Sequence, residues 1–265
     1  MTTNLLKDTR VLITGSSRGI GQAMAWAMAD AGADVAVHYN KNAEGAEATA
    51  AGVRERGRQS VVLQANLEEP ADITRLFDEL VGEWPRLDVL VANAAATAFK
   101  ATLDMRPHHF ERTYNLIVRS LMLMVQEAVP RMTDGGRIIT VSGHGTPYTL
   151  PNYAGLGSAK AAVEAWTRYL AYELGPKGIT ANCLSPGVIA TDSARYYLAQ
   201  TFEPLDREVS RQTPLGRMGV PEDVALAAVF LASPLSRFVT GQILRVDGGL
   251  SLSSGPFEAI RTTDA

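Results

Sequence analysis

Short apolar runs alternate with longer amphipathic ones along almost the whole chain. Val11 to Thr14, Asp34 to Tyr39, Ser60 to Gln64, Leu87 to Ala92, Arg137 to Ser142, Thr180 to Leu184 and Gln242 to Val246 read as seven strands. Their apolar residues run continuously instead of alternating. That pattern predicts strands buried on both faces, as in a parallel sheet covered by helices. The stretches between them carry helical periodicity and punctuation. Residues 20–31 end at Gly32, 43–56 end at Gly57, and 70–82 open on Pro70. Further helices are predicted over 107–132, over 153–174 with a stop at Gly175-Pro176, and over 221–232.

The β-α repetition continues without a Pro/Ser-rich linker, an internal repeat or a low-complexity segment. The expected fold is α/β, a Rossmann-type doubly wound, seven-stranded parallel sheet flanked by helices, with right-handed crossovers. Residues 1–265 are read as a single dinucleotide-binding domain. Residues 187–219 are longer than an ordinary connection and are expected to form a substrate lid.

Composition narrows the chemistry. The 265 residues hold 25 Lys+Arg against 28 Asp+Glu, a net charge of −3 without a block of one sign. Non-specific nucleic-acid or anionic-membrane binding has no electrostatic support in that balance. The one cysteine, Cys183, excludes an intrachain disulfide framework, and the four histidines include no His-x3-His pair, so no metal site is expected. No apolar run reaches membrane-spanning length, and Met1 to Leu6 lack the basic and apolar regions of a signal peptide. A cytoplasmic protein is expected.

The junction of the first strand and first helix reads Thr14-Gly15-Ser16-Ser17-Arg18-Gly19-Ile20-Gly21. A helix N-terminus presents free N–H groups and a positive dipole end, which suits a pyrophosphate. Glycines there permit positive φ and close approach of a phosphate. The end of the second strand reads His38-Tyr39-Asn40-Lys41, with no acid until Glu44. A carboxylate there would bind a ribose 2′-hydroxyl and repel a 2′-phosphate. Arg18 and Lys41 instead favour a 2′-phosphate, so the expected cofactor is NADPH.

These motifs, with Asn93-Ala94-Ala95, Asn115, Ser142, Pro186-Gly187-Val188-Ile189-Ala190-Thr191 and Gly241 to Gly249, resemble the short-chain dehydrogenase/reductase family over nearly the full length. The family's usual Tyr-x3-Lys is absent: Leu156 stands four residues before Lys160. The nearest upstream tyrosine is Tyr153, giving Tyr-x6-Lys, which looks like the NADPH-using enoyl-acyl-carrier-protein reductases. An enoyl reductase delivers hydride to Cβ of an unsaturated thioester, and charge develops on the more distant thioester oxygen. Its hydrogen-bond donor must be displaced accordingly. Three residues correspond to about 4.5 Å along an ideal helix at about 1.5 Å per residue.

The resemblance implies roles. Tyr153 would donate to the enolate oxygen, and Lys160 would hold the nicotinamide ribose and lower the tyrosine pKa. Gly15, Ser17, Arg18, Gly19, Ile20 and Gly21 would cradle the pyrophosphate, with Tyr39, Asn40 and Lys41 at the adenosine ribose. Asn66 and Leu67 would face the adenine, and Asn93, Ala94 and Ala95 would pass beneath the ribose. Pro186, Gly187, Ile189 and Thr191 would line the nicotinamide carboxamide and pyrophosphate. Ala95, His144, Tyr148, Tyr153, Tyr196 and Tyr197 are the expected substrate contacts, with Phe202 beside the last two over an acyl chain. Ser142 and Asn115 are further catalytic candidates. The family's active serine is commonly the second of a Ser-Ser pair, and here that pair reads Ser142-Gly143.

The leading reading is an NADPH-dependent reductase of enoyl thioesters carried on acyl carrier protein. Two alternatives stay open: a carbonyl reductase or alcohol dehydrogenase of the same family, and an NADPH-binding protein without catalysis. The family also implies a homotetramer built through 107–132, 153–174 and the C-terminal strand.

Overall fold

The computed structural model describes residues 4–133, 135–191 and 202–252. Seven strands form one all-parallel sheet: β1 (Arg10–Ile13), β2 (Asp34–Tyr39), β3 (Ser60–Gln64), β4 (Val89–Ala92), β5 (Arg137–Val141), β6 (Thr180–Pro186) and β7 (Ile243–Val246). Their order is β3-β2-β1-β4-β5-β6-β7, so the chain reverses its winding between β1 and β4. In open α/β sheets a ligand crevice lies at such a switch point, beyond the carboxyl ends of the strands.

The expected two-sided burial holds for the middle strands; every residue of β6 is buried. It is weaker in β3 and β7, which lie at the sheet edges and have a neighbour on one side only. Helices α1 (Gly19–Asp30) and α2 (Ala43–Glu55) follow the first two strands, and α3 (Pro70–Glu83) follows β3. One apolar layer packs α1 against β1, β2 and the helix at 221–232, around Met24, Met28 and Val229. The opposite layer packs α3 and the helices after β4 and β5 around Leu76, Phe77, Leu121 and Val163.

Two helical predictions change. The expected helix over 107–132 is broken into α4 (Pro107–Tyr114), a π segment (Asn115–Arg119), α5 (Ser120–Ala128) and a 3-10 turn (Val129–Arg131). Within the π segment the Ser120 N–H donates to the Asn115 carbonyl, and the Ser120 hydroxyl bonds back to the Leu116 carbonyl. Such an insertion widens one turn and re-aims the side chains around it. Pro130 has no N–H to continue the ladder. The helix after β5, α6, begins at Ala154 and ends at Leu174.

The stretch 187–219, expected to form a lid, contains helix α7 (Phe202–Gln212), and its residues 192–201 lie outside the described residues. Its apolar side is buried: Phe202 and Val209 pack with Met218 and Leu250. Helix α8 (Pro221–Ala232) and β7 complete the sheet.

Candidate functional site at the carboxyl ends of the strands

Thr14, at the end of β1, organises the first half of the site. Its hydroxyl donates to the Val91 carbonyl at 3.3 Å and accepts the N–H groups of Asn93 and Ala94 at 3.0 and 3.1 Å. The Asn93 amide donates to the carbonyls of Thr14 and Gly15 at 2.9 and 3.1 Å. Asn93 thus braces the glycine-rich turn from β4. Gly21 has no room for a side chain: a Cβ there would lie 2.4 Å from the Gly15 carbonyl oxygen and 2.8 Å from Asn93 Nδ2. The missing side chain lets α1 start directly on the turn.

His38 also holds this turn, and sequence reasoning had left it unassigned. Its Nδ1 accepts the Gly15 N–H at 3.0 Å, and its Nε2 lies 3.1 Å from the Ala65 carbonyl. Burial pushes the imidazole down to about 4. The ring is therefore neutral at pH 7, with its proton on Nε2 facing Ala65. The available signal was a lone histidine in the apolar run of β2.

Arg18 caps the start of α1 in extended backbone, and Arg18, Asn40 and Lys41 are exposed. Neither Arg18 nor Lys41 makes an ion pair among the described residues. Tyr39 and Ile20 pack half-buried on the α1 layer, and Ser17 meets the start of α2, where its carbonyl lies 2.4 Å from a Cβ placed on Gly45. From the far side, Thr191 comes to 3.6 Å of a Cβ placed on Gly19, so the segment after β6 closes over the glycine turn. Ile189 is buried and bridges Gly219, while Gly187 and Pro186 pair with the end of β7. Asn66 forms a local turn with the Glu68 N–H at 3.2 Å. The Leu67 side chain is in the core, so only its backbone can face a ligand. Ala95 is exposed at the end of the β4 loop.

The second half of the site lies between β5 and α6. Lys160 is buried, and its Nζ donates to the Val141 carbonyl at 2.6 Å. Burial lowers its ammonium to about 8. A small cavity lined by Ala94, Ile117, Ser120 and Lys160 links the lysine to the π segment that begins at Asn115.

Tyr153 differs from expectation in two respects. It is the residue that caps α6, with φ −105° and ψ 0°, and so precedes the helix that was expected to begin with it. The preceding Asn152 takes a left-handed φ of 60°, which asparagine tolerates, and turns the chain into the helix. Burial raises the Tyr153 phenol above its usual range, where a lowering by Lys160 was expected. A raised phenol keeps its proton at neutral pH and remains a donor.

The loop after β5 wraps the ring. Phe99 lies 5.8 Å from it, centroid to centroid. A Cβ on Gly145 would sit 2.3 Å from Tyr153 Cε1, and one on Gly143 would lie 3.8 Å from the tyrosine hydroxyl. Ser142 donates to Glu164 Oε1 at 2.6 Å and lies 2.9 Å from the Thr146 hydroxyl. Its one proton is therefore spent on Glu164. His144 stacks on Tyr148 at 4.8 Å, and the Tyr148 hydroxyl donates to the Ser251 carbonyl. Burial lowers the His144 imidazole, partly offset by Asp247. Tyr196 and Tyr197 lie outside the described residues. Phe202 is buried against Val209, Met218 and Leu250, and its ring is used in packing. A cavity of about 520 Å³ opens beside that cluster, bounded by Val188, Ile189, Thr213 and the Arg217–Asp223 ion pair. Among the described residues there is no metal-binding cluster and no helix long and apolar enough to cross a membrane.

The comparisons agree with this geometry. A family model described as enoyl-(acyl carrier protein) reductase matches residues 15–251. The 1-cyclohexenylcarbonyl-CoA reductase of Streptomyces collinus is 42% identical over 248 residues, covering 94% of this chain and 89% of that one. Among solved structures, an angucycline C-6 ketoreductase with bound NADP is 33% identical at a TM-score of 0.88, covering 95% of this chain and 98% of that one. A short-chain dehydrogenase from Burkholderia cenocepacia in complex with NADP is also 33% identical, with a TM-score of 0.86 and coverage of 94% and 100%. With its 3-2-1-4-5-6-7 sheet, glycine turn and Lys160 in these places, the chain belongs to the short-chain dehydrogenase/reductase family of oxidoreductases.

Proposed function

We propose that this protein reduces the C=C bond of an α,β-unsaturated acyl thioester with NADPH. The observation that carries the reading is the exchange of donors around Lys160. Leu156 and Gly143 cannot donate a proton, and the Tyr153 hydroxyl lies beside Gly143. A donor moved away from the lysine suits charge that develops one conjugated bond beyond the reacting carbon. The similarity to a cyclohexenylcarbonyl-CoA reductase supports the same chemistry.

The residues present fit NADPH. The α1 N-terminus, closed by Thr191 over Gly19, suits the pyrophosphate, and exposed Arg18 and Lys41 suit a 2′-phosphate. When bound, the cofactor supplies the hydride. Lys160 would hold the ribose hydroxyls, Tyr153 would donate a hydrogen bond to the thioester oxygen as negative charge gathers there, and Cα would then take its proton from water. Ser142 acts from behind, through Glu164 and Thr146, and Asn115 shapes the π turn against α6. His144, Tyr148 and Ala95 flank the acyl entrance, and the described parts of the expected lid, 187–191 and 202–219, cover it as part of a single domain.

Acyl carrier protein is the proposed carrier, with coenzyme A as its competitor in the assay. The proposed assembly is a homotetramer in the cytoplasm; exposed Tyr169 and Tyr172 on α6 and Phe238 before β7 offer it apolar surface. The NADP-bound ketoreductase relative favours a second reading, reduction of a carbonyl. Following NADPH loss with crotonyl and acetoacetyl thioesters, each on coenzyme A and on acyl carrier protein, separates the two. Turnover of crotonyl thioester that disappears in Tyr153→Phe is expected. Turnover of acetoacetyl thioester alone would overturn the first reading.

A further inference from the structure

We propose that Glu164 is a positioning residue for Tyr153, acting through Ser142 and Thr146. The inference rests on the role given to Tyr153 above. Helix α6 grips the end of β5 and the residue after it at two successive turns. Lys160 Nζ holds the Val141 carbonyl at 2.6 Å, and one turn later Glu164 Oε1 accepts the Ser142 hydroxyl at 2.6 Å. A short bond from a buried hydroxyl to a carboxylate is charge-assisted and stronger than a neutral one.

This bond sets the direction of the next. Ser142 has one hydroxyl proton, and Glu164 takes it, so the Thr146 hydroxyl is the donor in the 2.9 Å contact with Ser142 Oγ. The chain of donors therefore runs Thr146 to Ser142 to Glu164. The Thr146 N–H also donates to the Gly143 carbonyl at 3.1 Å. These bonds close residues 142–146 into a tight turn pinned to α6.

The turn seats the tyrosine. Gly145 approaches the ring so closely that a Cβ would lie 2.5 Å from Cδ1 as well as 2.3 Å from Cε1. The Gly145 carbonyl also lies 2.9 Å from a Cβ placed on Gly157 of α6. The turn is thus confined between the ring and the helix. A shift of the Ser142–Thr146 pair carries the Gly145 backbone with it and displaces the phenol. Displacements of this size are costly where a donor must meet one developing charge.

The test places 3-fluorotyrosine at position 153 and records its fluorine resonance alongside turnover. Glu164→Ala and Ser142→Ala are each expected to shift or broaden that resonance. They should lower kcat about tenfold with KM for NADPH unchanged. The double variant should fall no further than Glu164→Ala alone, because both changes break one chain of bonds. Glu164→Gln keeps an acceptor oxygen and should keep the wild-type resonance and kcat within about threefold. An unmoved resonance in Glu164→Ala, additive losses in the double variant, or a Gln variant that behaves as the Ala variant would each overturn the proposal. Should Glu164→Ala not fold, Ser142→Ala and Glu164→Gln carry the same comparison. Full turnover by Tyr153→Phe together with a moved resonance in Glu164→Ala would sink the role of Tyr153 and leave the positioning intact.

Discussion

Gly15 and His38 meet across the first two strands, the Gly15 N–H donating to His38 Nδ1 at 3.0 Å. One imidazole thereby joins the glycine turn to β3 through the Ala65 carbonyl, and it does so only while neutral. The relationship makes the folded turn sensitive to acid.

The folded-state pKa of His38 is depressed to about 4, against about 6.5 in an unfolded chain. The unfolded state therefore binds more protons between these values. Stability is full above pH 6.5 and falls as the pH drops towards 4, by on the order of 3 kcal/mol. Urea melts at a series of pH values should show this loss, and His38→Asn should flatten it. An equal acid slope in the variant would refute the assignment.

Lys160 titrates in a useful range. Its folded pKa is lowered to about 8 by burial, so the ammonium form is lost as the pH rises past that value. kcat/KM reports the free enzyme, so kcat/KM for NADPH should decline about tenfold per pH unit above that range. The same shift means the unfolded chain binds more protons between about 8 and 10.5, and the apo protein should gain stability as the pH rises through that window. A flat alkaline limb in both measurements would contradict the burial of this cation.

Gly145→Ala tests the packing of the tyrosine directly. The added methyl would meet the Tyr153 ring at 2.3 Å, and the ring must yield. We expect kcat to fall by about 10- to 100-fold while NADPH affinity, measured by fluorescence, stays within about twofold. Equal loss of both would mean that the substitution damages the whole site.

Arg18 and Lys41 stand exposed, without an ion-pair partner among the described residues. Replacing both with alanine should lower kcat/KM for NADPH by about 10- to 100-fold and leave NADH nearly unaffected. Raising the salt concentration should reproduce part of the effect in the wild type. A parallel loss with both cofactors would remove the two side chains from cofactor choice.

Much of this was readable in one dimension. Continuous apolar runs in the centre of the sheet and helical periodicity between them follow from burial and backbone geometry, which act locally. Strands β2 and β3 and the helix at 221–232 fall where the pattern placed them. The glycine turn, Asn93 and Lys160 announced themselves by motif and spacing. The π turn at Asn115 did not, because its hydrogen-bond shift depends on packing against α6. Helix α7 was hidden for a related reason: its apolar side is short and is completed by Met218 and Leu250 from elsewhere in the chain.

The sequence by itself determined the parallel α/β architecture, the dinucleotide turn and the absence of a proton donor at Leu156 and Gly143. The tertiary structure decided what the polar groups do. It spent the Ser142 proton on Glu164, set His38 against Gly15, and put Tyr153 at the cap of α6 against Gly145. The reason is physical. Strand and helix patterns arise from neighbours along the chain, whereas a hydroxyl's direction or an imidazole's charge depends on the partner that folding brings to it.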